Sequence, residues 1–191
     1  MFLKNKIFIP IGSSCSVTWY LDKNGYRKHA FPFDWTVTPI QSAIELINNN
    51  FNDFLNPTNL LYLKPTNRLL FKEDGVNVEI TEDIVTPVYD KKYHILYVHD
   101  FSAKGKDDFN KVIEKYQRRV VRLQKLLSEE ETIIFFIYDN REPNDWQRMQ
   151  YVQAKYNFST LTQNDIDTLS INRNNIKLIS LDEFKIWEKT K

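Results

Sequence analysis

The sequence predicts an α/β fold, with a mainly parallel sheet, helices on both faces and an antiparallel hairpin insertion in the middle. Four short apolar runs lack polar alternation, which is typical of parallel strands covered on both faces. Stretches with helical periodicity separate these runs. The 191 residues suit one domain, residues 1–191, with a β-rich insertion expected over residues 60–90.

The N-terminal part of the chain predicts a strand, a sharp turn and two helices. Residues 7–11 form the first apolar run, and Gly12 directly after them permits the turn. A helix is expected from this turn to Gly25, because glycine commonly follows a helix C-terminus. A second helix, with isoleucines on one face, is expected to start near Pro39, since proline is favourable in a first helical turn.

The middle of the chain predicts a hairpin and then a buried strand. Residues 69–71 and 76–80 are strand-like, and Asp74-Gly75 between them is a strong signal for a β-hairpin. Residues 95–98 form the second apolar run, which we expect in the parallel sheet.

The C-terminal half predicts a long helix, two strands and a short helix. Apolar side chains recur every three or four positions over residues 109–127, and this spacing predicts one amphipathic helix. Residues 133–138 and 176–179 are the remaining apolar runs. A final helix is expected over residues 181–187, capped by Asp182.

Composition and charge exclude several classes of protein. Hydrophobic residues make up 42% of the chain, which excludes global disorder. Lys and Arg total 26 against 25 for Asp and Glu, without the basic stripe of a nucleic-acid binder. No apolar run reaches the length of a bilayer span, and the N-terminus lacks a signal-peptide layout. The one cysteine cannot form an internal disulfide, so we expect a reducing, cytoplasmic location.

Cofactor signatures are missing from the sequence. It has no glycine-rich nucleotide loop and no Cys/His cluster with metal-ligand spacing, so we expect neither a cofactor nor a metal. The expected partner is a small-molecule, glycan or peptide substrate, and the oligomeric state is left open.

The candidate nucleophile is Cys15, in the string Gly12-Ser13-Ser14-Cys15 after the first strand. It falls in the first turn of the predicted helix, where free backbone N–H groups and the helix dipole stabilise a thiolate. The N–H groups near Ser14 and Cys15 could also hold an oxyanion. The alternative is an inert thiol, because a lone cysteine is most often a small buried hydrophobe.

The candidate base is His99, directly after the predicted strand at residues 95–98. If that strand is parallel to the first, His99 and Cys15 share the carboxyl edge of the sheet, where ligands bind in such folds. A histidine at a strand end is otherwise a hydrogen-bonded structural residue.

A third catalytic residue is expected from another strand end. Asp139 or Asn140, after the third apolar run, could orient His99 as in a catalytic triad. Asp100 is the weaker candidate, because it points away from its neighbour His99 on an extended chain. Asn140 and Arg141 are also candidate substrate-binding residues, although such residues end strands routinely.

Three aromatic rings alternate with Pro32 and Asp34 over residues 31–35. If the segment is extended, Phe33 and Trp35 lie on one face and could form the wall of a substrate pocket; the alternative is that the rings fill the core. Asp34 needs a partner among these rings, such as Arg27, Arg141 or a backbone N–H group. Arg27 and Asp34 are therefore candidate substrate-binding residues, and Asp34 is a further possible third catalytic residue.

Several motifs resemble those of a known family. The strings IGSSC at residues 11–15, GYR at 25–27 and FPFDW at 31–35 resemble the opening signature of the DUF1796 family of papain-like cysteine peptidases. The string HDF at residues 99–101 is similar to that family's later histidine motif. The resemblance implies Cys15 as nucleophile and His99 as base, and it suggests a connection with cell-surface glycans.

These observations together predict a cysteine hydrolase or acyltransferase that works through a thioester intermediate. His99 takes the Cys15 proton or holds a preformed thiolate–imidazolium pair. The sulfur attacks a carbonyl carbon, and then water or a sugar or amine acceptor takes the acyl group. One alternative is a non-catalytic glycan- or ligand-binding domain that retains the pocket. A third hypothesis is a redox-sensing thiol that relies on a partner's cysteine.

Overall fold

A computed structural model describes residues 5–12, 15–71, 78–101, 109–139, 150 and 175–190. Its strands and helices alternate along the chain, apart from a β-rich middle. In chain order they are β1 (Lys6–Gly12), α1 (Ser16–Lys23), β2 (Thr36–Val37), α2 (Ile40–Asn48), β3 (Leu60–Tyr62), β4 (Thr66–Phe71), β5 (Val78–Val85), β6 (Val88–Asp90), β7 (Leu96–Tyr97), α3 (Phe109–Leu127), β8 (Ile133–Asp139), β9 (Ile176–Ser180) and α4 (Leu181–Lys189). The mixture of helices with a parallel sheet confirms the predicted α/β class.

A three-stranded parallel sheet forms the centre of the fold, in the order β1-β8-β9. Its strands come from the predicted apolar runs at residues 7–11, 133–138 and 176–179. Strand β1 is in register with β8 along its whole length, from Lys6 opposite Ile133 to Gly12 opposite Asp139. The carboxyl ends of β1 and β8 therefore lie side by side.

Helices cover both faces of the parallel sheet, as predicted. Successive side chains of a strand point to opposite faces, and the two sets enter different hydrophobic clusters. The first cluster joins the sheet to α1 and α4 through Phe8, Ile137, Val17, Leu21, Leu181 and Phe184. The second joins it to α2 and α3 through Ile9, Ile11, Ile134, Phe136, Ile40, Ala43, Leu46, Val112, Tyr116 and Leu123.

The prediction that residues 95–98 are a parallel strand is wrong. Only Leu96–Tyr97 form a strand, β7, and it pairs antiparallel with both β2 and β6. These strands belong to a second sheet in the order β2-β7-β6-β3. Leu96 and Tyr97 are fully buried in clusters on opposite sides of this sheet. An unbroken apolar run indicates burial on both faces, which a central antiparallel strand also has.

The predicted hairpin is confirmed. Strands β4 and β5 pair antiparallel, with Phe71 opposite Val78 and Thr66 opposite Val85. The Asp74-Gly75 turn that signalled it lies outside the described residues. The register shifts between Asn67 and Leu69, so the pairing contains an irregularity.

The ends of the helices agree with the sequence in all but one case. Gly25 follows the end of α1 with a φ of +72°, and Pro39 directly precedes α2. The predicted cap of the last helix is wrong: Ser180, not Asp182, is the N-cap of α4. Its hydroxyl accepts from the backbone N–H of Glu183, and the Glu183 carboxylate accepts in return from the backbone N–H of Ser180. Such a reciprocal box satisfies both donors, whereas Asp182 already lies inside the helix.

No helix within the described ranges is both long enough and apolar enough to cross a membrane.

Candidate functional site

The candidate site begins where β1 ends. The backbone N–H of Thr38 donates to the carbonyl of Gly12 at 2.8 Å, which ties the second sheet to the end of the first. Gly12 has a φ of +123°, and a Cβ atom on it would come within 2.8 Å of the backbone nitrogen of Asp139. Only glycine allows this close approach and this turn. Gly12 therefore directs the chain from the parallel sheet towards Cys15 and α1.

The second sheet brings His99 to the same place. Thr36 pairs with Tyr97, so the chain preceding β2 lies beside the chain following β7. Trp35 lies there with a φ of +62°, and its backbone N–H donates to the hydroxyl of Thr18 on α1. Its ring meets the ring of His99 edge-on, with 6.2 Å between the ring centroids. Trp35 thus contacts both α1 and His99.

Cys15 and His99 meet as a result. The Sγ atom of Cys15 lies 3.8 Å from Nε2 of His99. Cys15 is the N-cap residue of α1, and only 2% of it is exposed. The two residues are brought together as predicted, but by a route different from the one predicted. They meet because the antiparallel pairing of β2 and β7 is joined to β1, not because two parallel strands share an edge.

The resting pair is neutral. Burial, followed by the nearby Asp100 charge, raises the pKa of the Cys15 thiol to about 12. Burial also lowers the pKa of His99 to about 4, against the opposing effect of Asp100. Of the two charge states that the sequence leaves open, a thiol that gives its proton to His99 is favoured over a preformed thiolate–imidazolium pair, because desolvation outweighs the helix N-terminus. At neutral pH the thiol and the imidazole are both uncharged.

The carboxylate of Asp100, which follows His99 directly in the chain, is a charged group beside this pair. It accepts from the ammonium of Lys115 and, at 2.6 Å, from the hydroxyl of Tyr116. Both donors lie on α3, so this helix fixes the Asp100 charge. Its negative charge favours protonation of both His99 and Cys15.

Asp139 has a different described partner. Its Oδ2 atom accepts from the hydroxyl of Ser16, the first residue of α1, at 2.5 Å. No described hydrogen bond links Asp139 to His99, so its role as orienting group stays a prediction. Asn140 and Arg141 lie outside the described residues, and so does Ser14.

The aromatic segment around Asp34 divides between the core and the site. Residues 32–35 form a turn rather than an extended segment. Phe33 is buried in the main core, stacked on Phe51, whereas Trp35 faces His99. Asp34 is fully buried and accepts from Nε of Arg27 at 2.6 Å, which is one of the partners that the sequence suggested. Burial raises the pKa of Asp34, and the Arg27 guanidinium opposes that rise.

The residues that hold Asp100 are not among those predicted from the sequence. Tyr116 was recognised only as part of the apolar face of α3. A buried tyrosine needs a partner for its hydroxyl, which is the signal that points to a carboxylate nearby.

Arg68, whose charge also lowers the pKa of His99, has no comparable signal in the sequence.

A cavity of about 440 Å³ lies near the segment that carries His99. It is lined by Pro57, Leu60, Tyr62, Phe109 and Asn110. Phe101 contacts two of these lining residues, because its ring packs against the rings of Tyr62 and Phe109. In the part of the chain that the structure describes, no group of three His, Cys, Asp or Glu side chains could hold a metal ion.

Comparison with known proteins identifies a relative and a family of this chain. The chain is similar to the uncharacterized protein R408 of Acanthamoeba polyphaga mimivirus, with 26% identity over a gapped alignment of 210 positions. This alignment covers 96% of this chain and 92% of the viral protein. No solved structure matches the chain. The family described as "Putative papain-like cysteine peptidase (DUF1796)" matches residues 6–173, which include both Cys15 and His99. Because this match spans most of its length, the chain belongs to the DUF1796 family.

Proposed function

We propose that this protein is a cysteine hydrolase or acyltransferase in which Cys15 is the nucleophile and His99 the general base. The observation that carries the proposal is the 3.8 Å contact between Sγ of Cys15 and Nε2 of His99. This distance is long for a hydrogen bond between a thiol and an imidazole nitrogen. Catalytic contacts of this kind tighten when substrate binds. The family of the chain supports the same reaction class.

The neutral resting pair determines how the proton moves. Sγ attacks the carbonyl carbon of the substrate while its proton passes to Nε2 of His99, so that a C–S bond and an imidazolium form together. The imidazolium then gives the proton to the leaving group as the bond to that group breaks, which leaves a thioester. Water or an acceptor hydroxyl or amine attacks the thioester and passes its proton to His99. The Cys15 sulfur leaves as a thiolate and regains this proton from His99, which restores the neutral pair.

Two features support the charges that develop in this reaction. The first-turn N–H groups of α1 point towards the region of Cys15 and suit the oxyanion of a tetrahedral intermediate. Asp100 favours the imidazolium form of His99, as the acid of a triad does without itself gaining the proton. We favour Asp100 over Asp139 in this role because its charge raises the pKa of His99, although its carboxylate, like that of Asp139, is bound to other residues.

The acceptor decides between hydrolysis and acyl transfer. We propose a glycan or peptide-like substrate, because the cavity beside Phe101 offers aromatic walls of the kind that bind apolar parts of ligands. We also propose a cytoplasmic location, where a reducing environment keeps the Cys15 thiol free.

A simple acylation assay tests the nucleophile. The chain has one cysteine, so any thiol adduct found by mass spectrometry lies on Cys15. With p-nitrophenyl acetate we expect a burst of p-nitrophenol and one acetyl adduct, both lost in Cys15→Ala. His99→Asn should slow the burst, and His29→Asn, at an exposed histidine, should leave it unchanged. A parent protein with no Cys15 adduct, or with a burst that survives Cys15→Ala, contradicts the proposal and leaves the non-catalytic binding domain.

A further inference from the structure

Arg68 stands at the irregular point of the β4–β5 hairpin. The pairing shifts between Asn67 and Leu69, with Ile84 opposite the first and Ile80 opposite the second. The carbonyl of Arg68 accepts from the hydroxyl of Thr81, across the hairpin, at 3.2 Å. Irregularities of this kind redirect a side chain and are frequent beside functional sites.

The base of this hairpin is attached to the segment that carries His99. Thr66 pairs with Val85, and the backbone N–H of the next residue, Thr86, donates to the carbonyl of Phe101 at 3.4 Å. Arg68 is therefore close to this attachment along β4. Its guanidinium is near enough to His99 to lower the pKa of that imidazole.

The guanidinium of Arg68 is weakly bound in the described structure. Its Nε atom is buried, with no hydrogen-bond partner in the structure. Its ion pair with Asp83 is long, at 3.8 Å between Nη1 and Oδ2, and the Asp83 side chain is 70% exposed. Arg27, in contrast, makes contacts of 2.6 Å and 3.1 Å with two carboxylates. A guanidinium normally binds a carboxylate through two short parallel bonds, a geometry that Arg68 does not reach with Asp83.

We propose that Arg68 is a specificity-determining residue that binds a carboxylate of the acyl donor beside the Cys15–His99 pair, displacing Asp83. The proposal rests on the function proposed above and adds the class of substrate to it, a donor with a carboxylate near the reacting carbonyl. A carboxylate ligand is favoured because the Arg68 guanidinium already faces the carboxylate of Asp83. The Asp83 side chain is exposed, so it can move away into water. The side chain of Arg68 is itself 40% exposed, which leaves it open to a ligand.

Alkylation of Cys15 by a matched pair of reagents tests this role. Iodoacetate and iodoacetamide transfer the same carbon to sulfur with loss of iodide, and they differ in a carboxylate against an amide. We expect Arg68→Gln to lower the ratio of the iodoacetate rate to the iodoacetamide rate by about tenfold, because the charged fork no longer holds the reagent. Asp83→Asn should raise this ratio, because it removes the competing carboxylate. The ratio cancels any change in His99 basicity, since that change affects both reagents.

Two controls separate this effect from general charge and from misfolding. Lys125→Gln makes the same change in charge on an exposed part of α3, about 14 Å along the helix from Tyr116, and should leave the ratio unchanged. Arg68→Lys keeps the charge but loses the fork, so it should recover only part of the ratio. If Arg68→Gln leaves the ratio within twofold of the parent, or if Lys125→Gln lowers it equally, the proposal is overturned.

Failure of this proposal is distinguishable from failure of the proposed function. If His99→Asn leaves both alkylation rates unchanged, the base and with it the proposed function are contradicted. If His99→Asn slows both rates while Arg68→Gln leaves their ratio unaltered, the proposed function stands and only the role of Arg68 is lost.

Discussion

Two buried polar pairs lie next to each other in this protein, and they are built in opposite ways. Arg27 and Asp34 form a closed ion pair, with 2.6 Å between Nε and Oδ2. Cys15 and His99 form an open neutral pair, with 3.8 Å between Sγ and Nε2. Asp34 and Trp35 are adjacent in the chain, and the Trp35 ring contacts His99, so both pairs share one local scaffold.

The difference indicates a division of labour. A buried carboxylate that loses its partner is costly, so a short ion pair fixes the chain that contains it. A neutral thiol and imidazole have little attraction to hold them, and the proton between them can move when a substrate arrives. We infer that the Arg27–Asp34 pair stabilises the turn at residues 32–35, and that the turn positions Trp35 against His99. The first pair should therefore govern stability and the second should govern reaction rate.

The largest expected effect is on the open pair. His99→Asn should slow acylation of Cys15 by p-nitrophenyl acetate by about a hundredfold to ten-thousandfold, because the variant has no general base. Stopped-flow absorbance of p-nitrophenol at pH 7 measures this rate.

The dependence on pH gives a second readout of the same variant. The parent keeps a neutral thiol and a neutral imidazole between the pKa values of about 4 and about 12, so its acylation rate should be flat from pH 5 to 9. In His99→Asn only the thiolate reacts, and the rate should rise about tenfold for each pH unit. A parent rate that rises with the same slope would mean that His99 does not accept the proton.

The next effect is on the closed pair. Arg27→Met should lower the free energy of unfolding by about 3–5 kcal/mol, because it leaves Asp34 fully buried without its guanidinium partner. Urea denaturation followed by tryptophan fluorescence at pH 7 measures the change. Lys28→Met, at the exposed neighbouring position, removes the same kind of charge and should change stability by less than about 0.5 kcal/mol. An Arg27→Met variant as stable as Lys28→Met would contradict the structural role of the pair.

The sequence was sufficient to predict the elements around these pairs. Apolar patterns, periodic in α3 and unbroken in the three parallel strands, located these elements, and the need of a buried carboxylate for a donor pointed from Asp34 to Arg27 as one of its possible partners. Both inferences depend on local patterns or on a pair close in the chain, where the physical requirement is visible in the sequence itself.

The contact between Cys15 and His99 was predicted correctly from a wrong premise. Burial on both faces was read as parallel pairing, whereas residues 96–97 lie in an antiparallel sheet. Strand direction depends on long-range partners such as Thr36, which no local pattern reveals. The charge state of the pair stayed open, because the position of Cys15 at a helix start was visible in the sequence and its 2% exposure was not. Arg68 was missed because its position depends on an irregularity in strand pairing.

The smallest predicted effect separates the two pairs by their response to acid. The pKa of His99 is lowered from 6.5 to about 4 in the folded state, so its contribution to stability is complete above pH 6.5 and is lost as pH falls towards 4. At pH 4.5 this loss amounts to about 2–3 kcal/mol relative to pH 7.

Asp34 acts in the opposite sense. Burial raises its folded-state pKa, so its contribution is complete in acid and is lost as pH rises through that pKa. Urea unfolding at pH 7 and pH 4.5 should therefore show a smaller acid loss in His99→Asn than in the parent, and a larger one in Asp34→Asn. The exposed-site control His29→Asn should keep the parent's loss, and equal losses in all four proteins would mean that neither buried pair contributes to the pH dependence of stability.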